Sequence, residues 1–207
     1  MDLTGTVGSL PPPPRLWLVR HAQPVIAPGV CYGVQDVLAD PAATRDAASR
    51  LAAALPRGAL VVHSTLQRCE LLALTLQALR ADLAPKPDPR LREMDFGTWE
   101  GQPWDTIGKA AIDAWTAAFA THAPGGGESL QAMLTRVGLA LRAAQQLHAE
   151  RRMEDLVWIT HAGVARCVDW LLAHGSGATP QPGTWPVQAP AWGEWQIRSL
   201  DGAKVSS

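Results

Sequence analysis

Leu16-Trp17-Leu18-Val19-Arg20-His21 is the stretch on which the fold turns: four apolar residues, then a cation and an imidazole. An apolar run this short, without polar alternation, suits a strand buried on both faces. The pattern occurs twice more. Ala59-Leu60-Val61-Val62 runs into His63-Ser64, with Arg68 one helical turn later, and Leu156-Val157-Trp158-Ile159 runs into Thr160-His161. Helical spacing of apolar residues predicts helices over 44–55, 66–83, 103–119, 128–153 and 163–172. Pro56-Arg57-Gly58 stops the first of these, and Pro85, Pro87 and Pro89 force an extended stretch. Residues 23–40 and 175–192 read as loops, and Trp195-Gln196-Ile197-Arg198 as a final edge strand. Strand and helix alternate, so the chain is an α/β fold. The expected architecture is a three-layer sandwich, a mainly parallel central sheet flanked by helices on both faces.

In such sheets ligands bind beyond the carboxyl ends of the strands. If the three runs are parallel neighbours, Arg20, Arg68, His21, His161 and, less directly, His63 meet in one crevice. Helix N-termini opening there would add backbone N–H donors. Arginine suits phosphate through its bidentate fork and permanent charge. Histidine can attack phosphorus, and neighbouring cations favour its neutral form. No Asp/Glu set for Mg²⁺ accompanies the strand ends, so the reading is metal-free phosphoryl transfer with no cofactor and no metal site.

Composition bounds the partners. The chain has 207 residues, 18 basic and 19 acidic, for a net charge of -1. That balance argues against nucleic acid held by a broad basic field, and any charged ligand must be held by a few placed residues. No apolar run approaches the roughly 18 residues of a membrane span. Met1 to Arg15 has no secretory pattern, and Cys31, Cys69 and Cys167 form neither a complete disulfide set nor a zinc pattern. The expectation is a cytoplasmic protein with a small phosphorylated metabolite as partner, no nucleic acid and no membrane, monomeric or homodimeric. Residues 1–14, ending in four prolines, read as an extended leader, 15–200 as one domain and 201–207 as a tail.

Five motifs stand in order over about 150 residues. They are Leu18-Val19-Arg20-His21; Ser64-Thr65-Leu66-Gln67-Arg68-Cys69; Leu91-Arg92-Glu93 continuing to Gly97-Thr98-Trp99-Glu100-Gly101; Gly126-Gly127-Glu128-Ser129; and Thr160-His161-Ala162-Gly163. Together they resemble the histidine phosphatase superfamily, with its phosphoglycerate mutase-like fold. The resemblance implies that His21 is the phosphorylated nucleophile, that Arg20, Arg68 and His161 complete the phosphate pocket, and that Glu93 is the general acid. Ser64, Ala162, Gln23, Tyr32 and Trp104 join them as candidate substrate or phosphate contacts. The chain departs from the pattern at Ala22, where Gly is common after the first His, at Thr65, where Pro is usual, and at Ala162 after the second His.

Arg20-His21-Ala22-Gln23-Pro24, Cys31-Tyr32-Gly33 and Trp99-Glu100-Gly101-Gln102-Pro103-Trp104 are similar to α-ribazole phosphatases, which implies α-ribazole 5′-phosphate as a substrate. Alternatives are a broad-specificity sugar-phosphate phosphatase, a mutase-type phosphotransferase, and a catalytically weak phospho-ligand binder. Long insertions that would hold a second phosphate are lacking.

Other residues are open to two readings. Asp95 and Glu100 compete with Glu93 for the acid role. His63 is structural or touches the ligand, and Ser64 donates to phosphate or orients Arg68. Trp99 and Trp104 pack a core or stack on a heteroaromatic leaving group. Trp185 and Trp192 read as a packed edge, the three cysteines as apolar fillers, and His122, His148 and His174 as surface residues without partners. Gly125-Gly126-Gly127 lacks the Lys-Ser/Thr of a P-loop and reads as a helix start, with Glu128 or Ser129 supporting the pocket.

Overall fold

The computed structural model describes residues 15–151 and 155–200. The expected leader, the tail and the end of the helix at Met153 lie outside those residues. Five strands form one sheet: β1 (Arg15–Arg20), β2 (Leu60–His63), β3 (Lys86–Pro87), β4 (Asp155–Thr160) and β5 (Trp195–Ser199). Their order is β3-β2-β4-β1-β5, parallel except for β5, which runs antiparallel along β1. The helices are α1 (Pro41–Ala54), α2 (Gln67–Leu79), α3 (Lys109–Ala117), α4 (Leu130–Arg151) and α5 (Ala162–His174).

Side chains alternate across a strand, and the apolar runs therefore feed both faces. Leu16, Leu18, Leu156 and Trp158 pack with Val137, Leu141, Val164 and Val168 of α4 and α5. Trp17, Val19, Val157 and Ile159 face the other way, onto Leu51 of α1 and Leu72 and Leu76 of α2. These are the three layers expected. No helix among the described residues is long and apolar enough to cross a membrane.

The differences from the expected elements have local causes. The first helix starts three residues earlier, because Asp40 caps it by accepting from the Ala43 N–H at 2.7 Å and Pro41 sits in its first turn. The second stops at Leu79, where Arg80 turns back to donate to the carbonyls of Ala52, Leu55 and Pro56. The segment 103–119 is not one helix. A 3₁₀ turn at Trp104–Thr106 precedes α3, which begins only after Gly108.

Register brings the strand ends together. Arg20 pairs with Thr160 and His63 with Ile159. The ladder then runs on past the strands, with the His21 N–H donating to the Thr160 carbonyl (3.0 Å) and the Ser64 N–H to the Ile159 carbonyl (2.9 Å). β4 lies between β1 and β2, although β2 follows β1 in sequence. The break in strand order opens the crevice where ligands of this architecture bind.

Candidate active site

A cavity of about 430 Å³ opens beyond the ends of β1 and β4. Its floor carries Arg20, His21, Glu93, Ala162 and Gly163; its wall includes Tyr32, Trp104, Trp115, Phe119 and Trp185. Arg68 and His161 lie just beneath, 0% and 1% exposed.

His21 is 2% exposed, and its Nδ1 stands 2.7 Å from the Ala22 carbonyl oxygen. A carbonyl only accepts, so Nδ1 carries the proton and Nε2 of the neutral ring keeps its lone pair. Burial, reinforced by the Arg68 and Arg20 charges and opposed by the Ala22 bond, pushes the ring down to about 3. His161 is held well below its ordinary value by burial first, then Arg68 and His21. The two rings lie 5.1 Å apart. Both are therefore neutral over the physiological range, as a nitrogen nucleophile requires.

The two arginines are fixed by backbone. Arg68 donates from Nη1 to the Gln35 carbonyl (2.8 Å) and from Nη2 to the Gly33 carbonyl (2.6 Å), and its guanidinium lies over the Tyr32 ring at 5.4 Å. Arg20 donates to the Pro190 carbonyl at 3.2 Å and lies over Trp192 at 5.1 Å. Burial lowers Arg20, against the Tyr32 and Glu93 charges that raise it. In both arginines the buried Nε has no hydrogen-bond partner among the described residues. Two charged donors left open beside a neutral imidazole suit an oxyanion.

Glu93 borders the same cavity. Its Oε2 accepts from the Gly163 N–H at 3.0 Å and its Oε1 from the Met94 N–H at 3.1 Å. A Cβ at position 163 would collide with Oε1, so glycine there admits the carboxylate to the start of α5. The rival acids are occupied elsewhere. Glu100 accepts from the N–H groups of Val34, Gln35 and Phe96, and Asp95 from that of Gly97.

Several expected contacts fall elsewhere. Gln23 is not on the cavity; it is exposed and borders a separate hollow with Pro24 and Asp40. Ser64 is fully buried off the cavity lining, its Oγ 2.9 Å from His161 Nε2. His63 is buried with Nδ1 on the Ser64 carbonyl, away from the cavity. Trp99 packs with Cys31 and Ile107, whereas Trp104 is 37% exposed on the cavity wall. Cys69 is more than filler, its Sγ lying 3.5 Å from His161 Nε2. His174 is not without a partner, since it stacks on Trp170 at 4.0 Å; His148 also has a partner.

Sequence reasoning missed other contributors. Trp185 lines the cavity rather than an edge, and Trp192 supports Arg20. Arg166 also lines it, with Nε donating to the Val187 carbonyl at 3.2 Å and no ion pair among the described residues. Its place one turn past Gly163 on α5 was the available signal. No group of three or more His, Cys, Asp or Glu side chains that could hold a metal occurs among the described residues.

Residues 16–186 match the histidine phosphatase superfamily (branch 1). No curated protein matches the sequence. Among solved structures, a Thermus thermophilus protein is 29% identical, with 88% of this chain and 92% of that one covered and a TM-score of 0.64. The α-ribazole phosphatase of Shigella flexneri is 26% identical, with 88% and 89% covered and a TM-score of 0.69. A mycobacterial glucosyl-3-phosphoglycerate phosphatase, 23% identical over 89% of each chain, shares the fold with a TM-score of 0.68.

Proposed function

The chain belongs to the histidine phosphatase superfamily, and we propose that it is a metal-independent phosphomonoesterase working through a phosphohistidine at His21. The observation that carries this reading is the neutral, buried His21 ring, its Nδ1 tied to the Ala22 carbonyl, beside two arginines with open Nε donors. His21 Nε2 attacks phosphorus in line while Arg20 and Arg68 neutralise the non-bridging oxygens and His161, a neutral ring, offers them a hydrogen bond. Glu93, as the general acid, gives a proton to the leaving oxygen as the P–O bond breaks. A water then attacks the phosphohistidine, passes its proton to Glu93, and breaks the N–P bond to release phosphate.

The leaving group faces Trp104, Trp115 and Trp185. An alcohol that carries a planar heteroaromatic ring fits that wall by stacking, and the likeness to the Shigella flexneri α-ribazole phosphatase supports α-ribazole 5′-phosphate as the substrate. Arg166 favours a second reading, a sugar-phosphate or other ester whose leaving group carries an anionic or strongly polar group.

The test is turnover of a phosphomonoester panel, α-ribazole 5′-phosphate included, with EDTA present, together with trapping of the phosphoenzyme. Acid-labile phosphate on wild type but not on His21→Ala is expected. Full activity of His21→Ala would sink the mechanism, and phosphate binding without turnover of any ester would favour the binder.

A further inference from the structure

Glu93 stands on a segment with no regular secondary structure between two 3₁₀ turns, so its position depends on what grips that segment. Arg136 of α4 reaches across it. Nη1 donates to the carbonyls of Arg90 (2.8 Å) and Arg92 (2.7 Å), and Nη2 to the carbonyl of Glu93 itself (3.1 Å). Glu128 holds the same guanidinium from its other edges, Oε1 accepting from Nε and Oε2 from Nη2, both at 2.7 Å. The five N–H donors of an arginine are thereby all used. The grip also closes on itself, because the Glu128 N–H donates to the Asp95 carbonyl at 2.7 Å. The two side chains are 20% and 17% exposed, so solvent screens the pair only in part. The turn carrying Glu128 packs backbone to backbone on the same segment, where a side chain on Gly97 would strike the Gly125 carbonyl.

We infer that Arg136, oriented by Glu128, is a positioning residue for proton transfer at Glu93. The inference rests on the reading of Glu93 as the acid and base. A proton donor works only within hydrogen-bond reach of the leaving oxygen, and a shift of about 1 Å can cost on the order of 10²-fold. Three carbonyls spanning residues 90–93 fix the backbone up to the Cα that carries the carboxyl. Lysine cannot substitute. Its compact ammonium has three donors and no planar fork, and it cannot hold three carbonyls and a carboxylate together.

Leaving-group dependence separates positioning from mere structure. p-Nitrophenolate departs with little help from an acid, whereas the alkoxide of glycerol 3-phosphate needs the proton. The experiment measures single-turnover phosphoenzyme formation from both esters in wild type, Arg136→Lys, Glu128→Gln and Glu93→Gln. The expected result is a loss of about 30-fold on glycerol 3-phosphate and under about threefold on p-nitrophenyl phosphate for Arg136→Lys, with the same bias at about fivefold for Glu128→Gln. The milder Glu128→Gln carries the test if Arg136→Lys does not fold. Equal losses on both esters, with Glu93→Gln still showing the bias, overturn the role of Arg136. Absence of the bias in Glu93→Gln overturns the acid assignment, and this inference with it.

Discussion

The floor and the wall of the cavity are built differently. Arg20 and His21 of the floor, with Arg68 and His161 just beneath, come from the ends of three adjacent strands or the first turn beyond, and hydrogen bonds from the sheet ladder continue under them. The wall comes from a 3₁₀ turn (Trp104), a nine-residue helix (Trp115) and the Pro-rich loop carrying Trp185. His21, Arg68 and His161 are buried and Arg20 half-buried, whereas the wall is joined mainly by edge-on aromatic contacts such as Trp99 to Trp115 (5.8 Å) and Phe119 to Trp185 (6.1 Å). On the proposed mechanism, a floor anchored in a sheet holds the phosphate chemistry constant. A wall of short elements can change shape without disturbing it. Substitutions at Arg20, His21, Arg68 and His161 should therefore cut turnover of every ester alike, those at Glu93 should fall hardest on esters with poor leaving groups, and those in the wall should discriminate by the shape of the leaving group.

The largest effect is expected at His21. Replacing it with Ala removes the proposed nucleophile and should lower kcat on every ester by about 10³-fold or more; an ester that keeps its rate would break the floor's uniformity. Arg68→Lys comes next. Lysine keeps the charge but loses the fork that spans the Gly33 and Gln35 carbonyls and leaves Nε open. A fall in kcat/KM of about 10²-fold, equal across esters, is expected, with weaker inhibition by inorganic phosphate.

The floor also predicts a pH dependence. His21 is depressed to about 3 in the folded protein, against about 6.5 unfolded. Above 6.5 neither state binds the proton and stability is at its full value. As pH falls below 6.5 the unfolded chain takes up a proton that the native ring refuses, so stability drops until pH approaches 3. The slope is about 1.4 kcal/mol per pH unit for one such group, and His161, lowered by the same burial, adds to it. Urea unfolding of His21→Gln between pH 6 and 4.5 should show a shallower dependence by that amount. An unchanged slope would mean that the ring is not buried neutral.

The same contrast explains what the sequence made legible. A strand end turns position in the chain into position in space, so an apolar run followed by Arg20-His21 or Thr160-His161 announces the floor. The wall has no such rule. Apolar spacing over 103–119 fits a 3₁₀ turn and a short helix as well as one long helix, and the break at Gly108 leaves no periodic mark. Trp185 and Trp192 reach the site because the loop carrying them leads into β5, which lies antiparallel on β1, at the far end of the chain from it. The choice of Glu93 over Glu100 rests on distant partners too. Glu100 is consumed by the N–H groups of Val34 and Gln35, which nothing local to residue 100 reveals.

The smallest effect tests the wall most directly. Trp104 is 37% exposed, stands edge-on to Phe96 at 5.4 Å and lies nearly parallel to Trp115 at 6.5 Å. It touches none of the floor cations, so its removal leaves phosphate recognition in place and takes away apolar and stacking surface for the leaving group. A stacking contact contributes about 0.5–1.5 kcal/mol beyond its buried area, or roughly two- to tenfold. Trp104→Ala should therefore raise KM for α-ribazole 5′-phosphate and p-nitrophenyl phosphate by about fivefold, and leave glycerol 3-phosphate within about twofold. Equal changes on aromatic and aliphatic esters would show that Trp104 braces the cavity and does not select its ligand. The division between a fixed floor and a selective wall would then have to be redrawn around Trp115 and Trp185.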